Sequence, residues 1–425
     1  MKRSMLYSVV FLLVVAAITA RLSNLDLIEY KLDEKAWIGL AYNNIHAQPA
    51  LTGLKSSAGM HNPPLFGYIL CIPVYFSSDP VFVTSFIILL NILGLSLLYY
   101  YIRRYFSHGT ALITILLFAS SPWAILCSRK IWSHYLMFPF LVLFYGLLLS
   151  VAERYSRIKV LLLFFVFSIV TQMHMSTIFM LVPLSLFILF FKVRIRALDF
   201  LSGCVLFLVP YVPFIYYHIV NGFPKPSLVN RVDIYGNTGW SFIINGATNF
   251  EYYLGSGFDL FVVKYKLLVP QILSYFHLIV MGMALIYVII VLAGKLKQHN
   301  LSAALEMRYK ALSLFLMVYV FVQISFVVFK VGGYPHYNVI LYPILAVFTG
   351  YFIDSLYQKY GVVIRALISC VVALIVISNL YFIMSFFGFI RHYPQWINGD
   401  YGIPYCLQGK VSENAVYPVV SVSYK

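Results

Sequence analysis

Apolar runs of membrane-span length alternate along this chain with short polar breaks that carry its basic residues. Single runs stand at Met5–Ala20, Val81–Ile102, Thr110–Cys127, Tyr135–Ala152, Leu198–Ile219, Pro270–Gly294, Ala311–Phe329, Tyr337–Ile353 and Val362–Ile390. About 20 apolar residues in a helix cross a hydrocarbon core of about 30 Å, so each run predicts a spanning helix. Pro64–Phe76 is too short to cross and is bounded by prolines, which suits an interfacial or re-entrant helix. Val160–Phe191 is too long for one span and is interrupted by the polar "TQMHMS" (Thr171–Ser176), which predicts two short helices meeting at a turn.

The basic residues test this division, because lysine and arginine collect in cytoplasmic loops. With eleven spans and the N-terminus inside, the inner loops hold Arg103 and Arg104; Arg154, Arg157 and Lys159; Lys192, Arg194 and Arg196; and Lys295, Lys297, Arg308 and Lys310. Reading Val160–Phe191 as one span sets two basic loops on opposite faces. Reading Pro64–Phe76 as a span turns all the clusters outward. About eleven helices is the consistent count, with the large outer segments 21–80 and 220–269 and an outer tail 391–425.

Composition agrees with this picture. The chain is 62% hydrophobic and 10% charged, where soluble domains average about 25% charged residues. The expected class is an all-α polytopic membrane protein. A net charge of +16 is no argument for nucleic acid, since the cations lie in short clusters between apolar runs. Cys71, Cys127, Cys204, Cys370 and Cys406 lie mostly inside apolar runs without metal-type spacing, and read as buried thiols. Met1-Lys2-Arg3 before an apolar run resembles a signal peptide, but Ala20-Arg21-Leu22 is a poor cleavage site, so the run is read as a first helix.

Acidic residues are scarce, and their sorting is informative. Asp26, Glu29, Asp33, Glu34, Asp79, Asp233, Glu251, Asp259, Asp400 and Glu413 fall outside, while Glu153, Asp199, Glu306 and Asp354 fall inside. None lies at the middle of a span, where ion-coupled transporters usually place ionisable groups. Chemistry is therefore expected on the outer face.

The adjacent acids Asp33 and Glu34 occur in "YKLDEKAWIGLAYNNI". At 100° per residue Trp37, Ile38, Ala41 and Ile45 share about 80–100° of arc, a stripe suited to lying on the membrane. Glu34 points into that stripe, Asp33 lies at its edge and Lys35 points away. One reading makes Asp33 an N-cap and Glu34 a first-turn acid favoured by the helix dipole; the other makes the pair catalytic. Further polar groups fall on the same face: His61 and Asn62 before the short helix, Arg129 and Lys130 in "SPWAILCSRKIWSHY", Gln172 and His174 in the polar turn, and His336 and Tyr337 in "GGYPHYNVILYP". Arg129 and Lys130 suit lipid head groups as well as a substrate phosphate.

In order and sidedness these segments resemble the GT-C superfamily of membrane glycosyltransferases, most of all bacterial relatives of the protein O-mannosyltransferases and of the lipid A aminoarabinose transferase. The resemblance implies a GT-C bundle over 1–390 that moves a sugar from a polyprenyl-phosphate donor to a lipid, glycan or protein acceptor hydroxyl, with inversion. It implies Asp33 as the base, Glu34 assisting and Arg129, with Lys130, at the donor phosphate. His61, Asn62, Gln172, His174, His336 and Tyr337 are expected around the substrate cavity. The pattern departs from relatives after the arginine, where an acid often follows and this chain reads Ile131-Trp132-Ser133-His134. The expected location is the plasma (inner) membrane, with the site on the outer side. No cofactor is expected: no Asp-x-Asp motif occurs, although the acids at 26, 29, 33 and 34 could gather a divalent cation. The segment 220–269 suits a lid and equally a passive loop, and the tail 391–425 has no assigned role. A polysaccharide polymerase calls for more arginine in the outer loops, and a lipid-linked glycan flippase calls for a polar path through the spans.

Overall fold

The computed structural model describes residues 3–56, 60–223, 267–298, 306–328, 339–392 and 405–407. Among the described residues there are fifteen α-helices and no strand; an isolated antiparallel bridge joins Lys55 and His61. The first half of the chain gives α1 (Arg3–Leu22), α2 (Leu32–His46), α3 (Leu65–Phe76), α4 (Pro80–Tyr105), α5 (His108–Ser120), α6 (Pro122–Cys127), α7 (Ser133–Glu153) and α8 (Arg157–Met173). A 3-10 turn at Met175–Met180 leads into α9 (Leu181–Phe190), followed by α10 (Ala197–Leu208) and α11 (Val212–Asn221). The remainder gives α12 (Leu268–Gln298), α13 (Met307–Val328), α14 (Tyr342–Lys359) and α15 (Val362–His392).

Seven of the described helical segments are long and apolar enough to cross a membrane, including Pro80–Tyr105, Ser133–Glu153 and Ala197–Asn221. Shorter apolar helices stand at Phe11–Leu22, Leu65–Phe76, His108–Ser120 and Met175–Phe190. The sequence count of about eleven exceeds seven because several expected spans are short or interrupted. Thr110–Cys127, expected as one helix, is broken at Ser121, whose extended ψ of 125° precedes Pro122. Proline disfavours the α conformation in the residue before it and offers no N–H to the preceding turn. Leu198–Ile219 also contains a 3-10 turn at Val209–Tyr211, at Pro210, yet as Ala197–Asn221 it stays long enough to count among the seven. The polar turn of Val160–Phe191 behaves as expected, with His174 extended at φ −158° between α8 and the 3-10 turn.

Local capping explains several starts. Asp79 accepts hydrogen bonds from Val81 N (2.6 Å) and Phe82 N (3.4 Å), with Pro80 at the first helical position of α4. Ser107 Oγ accepts from Thr110 N at 2.9 Å and starts α5. Helix α5 lies at the centre, packed by α1, α4, α14 and α15.

The stripe on α2 corrects one expectation. Trp37, Ile38 and Ala41 do not lie on a membrane surface; they are buried within the chain, and the Trp37 ring meets Phe66 of α3 edge-on at 4.8 Å. The short helix α3 is apolar enough to offer a better partner, with Phe66 and Leu70 also buried. Gly53 makes this close, since a Cβ there would stand 2.8 Å from the Trp37 ring and 2.6 Å from the Pro63 carbonyl. The α2–α3 pair thus packs as one unit, with α3 against α4 and α8, and the first turn of α2 carries the acids.

Candidate active site

Helix α2 begins at Leu32, after the extended residue Lys31. The Lys31 backbone N–H donates to Glu34 Oε2 at 2.9 Å, so Glu34 reaches back to close the first turn as a capping-box acid does. The same side chain is fully buried, and its Oε1 lies 3.9 Å from Lys130 Nζ. Lys130 makes its shorter ion pair with Glu29 Oε1 at 2.8 Å, and Glu29 Oε1 lies 2.8 Å from Lys31 Nζ. The Lys130 ammonium stands 3.6 Å from the centroid of the Trp132 ring, a cation–π contact. Two carboxylates and two ammonium groups therefore share one cluster at the start of α2. Asp33, one residue before Glu34, is exposed.

Burial pushes the Glu34 carboxyl up to about 7, and the neighbouring Glu29 charge adds to the rise against the pull of Lys130. The charge of the cluster follows from this. With Glu34 ionised, Glu29 and Glu34 balance Lys31 and Lys130. With Glu34 protonated, one positive charge remains.

Arg129 faces another way. Its Nη1 donates to Ser23 O at 2.7 Å and to Ala20 O at 3.3 Å, and its Nη2 donates to Asn24 O at 2.5 Å. These carbonyls belong to the end of α1 and the turn after it, where helical acceptors lack intrahelical partners. The guanidinium also lies 4.3 Å from the Phe387 ring centroid. Arg129 thus ties α1, the turn after α6 and α15 together beside the cluster. Arg391 Nη2 reaches the same turn, 3.0 Å from Asn24 Oδ1 and 2.9 Å from Asp26 Oδ2. Tyr405 donates its backbone N–H to Ile28 O at 3.1 Å and packs edge-on against Tyr30. The segment that presents Glu29 is held from both sides.

The polar turn comes close through aromatic contacts. His134, two residues beyond Trp132, meets His174 at a tilt with ring centroids 4.4 Å apart, and His174 Nδ1 engages the Ser176 hydroxyl. Gln172 is buried, with its Nε2 3.5 Å from Ser168 Oγ. His61 and Asn62 instead hold the loop entering α3: Asn62 Nδ2 donates to Leu54 O at 2.9 Å, and the His61 ring meets Tyr217 at 5.5 Å. His336 and Tyr337 lie outside the described residues, as do nearly all of 220–269 and most of the tail.

Of the sequence-derived residues, the structure gathers Glu34 and Lys130 directly, and links His174 to them through Trp132 and His134. Glu29, Lys31, Trp132 and His134 were not singled out as site residues, although each stands within five residues of one that was. The four outer acids do not all converge on one point: Glu29 and Glu34 share Lys130, Asp26 pairs with Arg391, and Asp33 is exposed.

Residues 61–217 match the family model of the dolichyl-phosphate-mannose-protein mannosyltransferases. No curated protein sequence matches the chain. Among solved structures, ArnT from Cupriavidus metallidurans bound to undecaprenyl phosphate is similar with a TM-score of 0.57 and 12% identity, over 91% of this chain and 78% of ArnT. The apo form of that ArnT gives 0.57 and 13%, over 92% and 80%. The Archaeoglobus fulgidus oligosaccharyltransferase in its apo form gives 0.53 and 13%, over 91% of this chain and 56% of that one. At such identities the likeness is one of fold. The chain therefore has the multi-pass GT-C fold, and over residues 61–217 it matches the dolichyl-phosphate-mannose-protein mannosyltransferase family.

Proposed function

We propose that the chain is a membrane glycosyltransferase that moves a sugar from a polyprenyl-phosphate donor to an acceptor hydroxyl at the outer membrane face. Asp33 is the base, Glu34 assists, and Lys130 with Arg129 supplies positive potential for the phosphate. The observation that carries the reading is an exposed carboxylate, Asp33, one residue before Glu34, whose buried side chain lies 3.9 Å from the buried Lys130 ammonium. The match of residues 61–217 to a mannosyltransferase family and the fold shared with ArnT, which has been captured with undecaprenyl phosphate, support it.

The chemistry suits these few groups. A phosphate leaves as a stable anion, so the reaction needs no general acid at the departing oxygen. It needs a base for the incoming hydroxyl and positive charge near the leaving group. A single displacement inverts the sugar carbon, and one carboxylate on the attacking side suffices, where glycoside hydrolysis typically recruits two. Protonation of Glu34 leaves the cluster with a net positive charge, which favours an incoming anion. No metal enters this scheme.

The test uses the full chain in liposomes with a panel of polyprenyl-phosphate sugars and candidate acceptors, read by mass spectrometry. The wild type should transfer sugar from at least one donor. Asp33→Asn should lower turnover by about 10²–10⁴-fold, the usual contribution of a general base, with folding unchanged because the side chain is exposed. Wild-type turnover in that variant removes Asp33 from the mechanism, and transfer from no donor removes the reading.

A further inference from the structure

The end of the bundle remote from Lys130 holds a second concentration of charge that sugar transfer does not use. Helix α7 is 21 residues long, so its ends stand about 30 Å apart at 1.5 Å per residue. Lys130 and Trp132 precede its start, and Glu153 is its last residue. At that far end the 154–156 loop between α7 and α8 meets the 191–196 loop between α9 and α10.

Asp199 joins the two loops. It is buried in the first turn of α10, accepts a hydrogen bond from the Tyr155 hydroxyl and lies 3.3 Å from Arg157 Nε. The Arg196 guanidinium stands 5.1 Å from the Tyr155 ring centroid. Lys159 Nζ donates back to Ser150 O at 3.2 Å, closing the turn between α7 and α8. Gly203 lets α10 sit tightly on α8, where a Cβ would meet Phe164 at 2.7 Å. The loops form one fixed surface.

Its acids are already used. Glu153 pairs with Arg104 at 2.7 Å, and Asp199 with Arg157. Arg154, Lys192, Arg194 and Arg196 are exposed, and no ion pair joins them to a carboxylate among the described residues. Apolar side chains continue directly from these cations: Ile158 and Leu162 on α8, and Leu198 and Leu201 on α10, are all exposed. Only 11% of the apolar stretch of Ala197–Asn221 is buried by the chain, against 72% for Ser133–Glu153.

A cationic surface of fixed geometry continuous with an apolar helix face fits a ligand that is anionic at one end and apolar at the other. We propose that this two-loop surface binds an anionic diacyl phospholipid of the adjoining leaflet. Its phosphate is held by Arg154, Lys192, Arg194 and Arg196, and its acyl chains lie along the exposed faces of α8 and α10. Basic clusters beside membrane helices attract anionic lipid. This site adds to that general attraction a buried acid that aligns two loops and a helix that presents almost its whole apolar stretch. It is independent of the role given to Asp33.

The test is native mass spectrometry of the full chain titrated with phosphatidylglycerol, phosphatidylcholine or inorganic phosphate. The wild type should retain phosphatidylglycerol in preference to phosphatidylcholine. Lys192→Gln/Arg194→Gln/Arg196→Gln should weaken phosphatidylglycerol binding about a hundredfold, at about fivefold per cation removed. Removing an equal charge elsewhere, in Lys295→Gln/Lys297→Gln/Arg308→Gln, should change it less than about twofold if the cation geometry rather than net charge decides. Equal weakening in both triple variants, undiminished binding in the first, or displacement of the lipid by phosphate alone at equal concentration overturns the proposal. Should the first triple variant misfold, the single exposed change Arg194→Gln decides it, with about a fivefold loss expected and none overturning it.

Discussion

The two ends of α7 handle charge in opposite ways. At the start, Lys130 is buried with Glu29 and Glu34 and pressed on the Trp132 ring. At the finish, Arg104 and Glu153 form an ion pair whose members are each more than a third exposed, and most of the nearby cations are exposed. A buried ion pair sheds its water and recovers that loss only through close geometry, whereas an exposed pair gives up little and gains little. A bundle gains nothing in stability from burying three charged groups where apolar ones pack as well. Their presence at the start of α7 calls for a chemical use, and the finish can be explained by the membrane surface alone.

The sharpest way to break this contrast is to remove Lys130. Lys130→Met leaves Glu29 and Glu34 without their shared cation, and breaking a buried pair costs about 3–5 kcal/mol. The loss should fall near 3 kcal/mol on that scale, because Lys31 still faces Glu29 and Glu34 can take up a proton. Thermal unfolding in detergent would show a clear drop. A variant as stable as the wild type would mean that the cluster is not holding its charges against one another.

Much of this contrast was legible in the sequence. The helical wheel put Glu34 into the apolar stripe, and the structure buries it. Lys130 was expected on the outer side with the acids, at the donor phosphate; in the structure it pairs with Glu29 at 2.8 Å and lies 3.9 Å from Glu34. Where the stripe goes was not legible: Trp37 and Ala41 alternate as a surface helix does, and only the position of α3 shows that Phe66 covers them. The breaks at Ser121 and Val209 were marked by Pro122 and Pro210, but each lies within an apolar run, and hydropathy averages over them. Arg129 illustrates the remaining gap. Its sequence context suited a lipid head group or a substrate phosphate, while its guanidinium satisfies carbonyls at the end of α1, a demand set by how α6 and α1 meet and written nowhere in the local residues.

A smaller effect separates the two carboxyls of the cluster. In the folded chain Glu34 keeps its proton up to about 7, above its ordinary 4.5. Between those values the native state binds more protons than the unfolded one, so this group's contribution to stability is present below about 4.5 and is lost as pH rises through about 7. Glu34→Gln fixes the neutral form. It should unfold at the wild-type temperature at acidic pH and at a higher temperature than the wild type at pH above 7, the difference growing across that window. A Gln variant that is instead less stable at alkaline pH would show that Lys130 holds Glu34 ionised, and the cluster would then be neutral rather than cationic.

The far end of α7 provides the smallest and most discriminating change. Arg104 and Glu153 are each more than a third exposed, and water screens such a pair to about 0–1 kcal/mol. Glu153→Gln should therefore move the unfolding free energy by less than about 0.5 kcal/mol, and by less still in high salt. The same substitution frees Arg104 beside the two-loop surface. One added cation is expected to strengthen phosphatidylglycerol binding by up to about fivefold, so stability and lipid affinity should part company in a single variant. A stability loss comparable to that of Lys130→Met would mean that Glu153 holds the fold together as strongly as Glu29 does, and exposure would no longer distinguish the two ends.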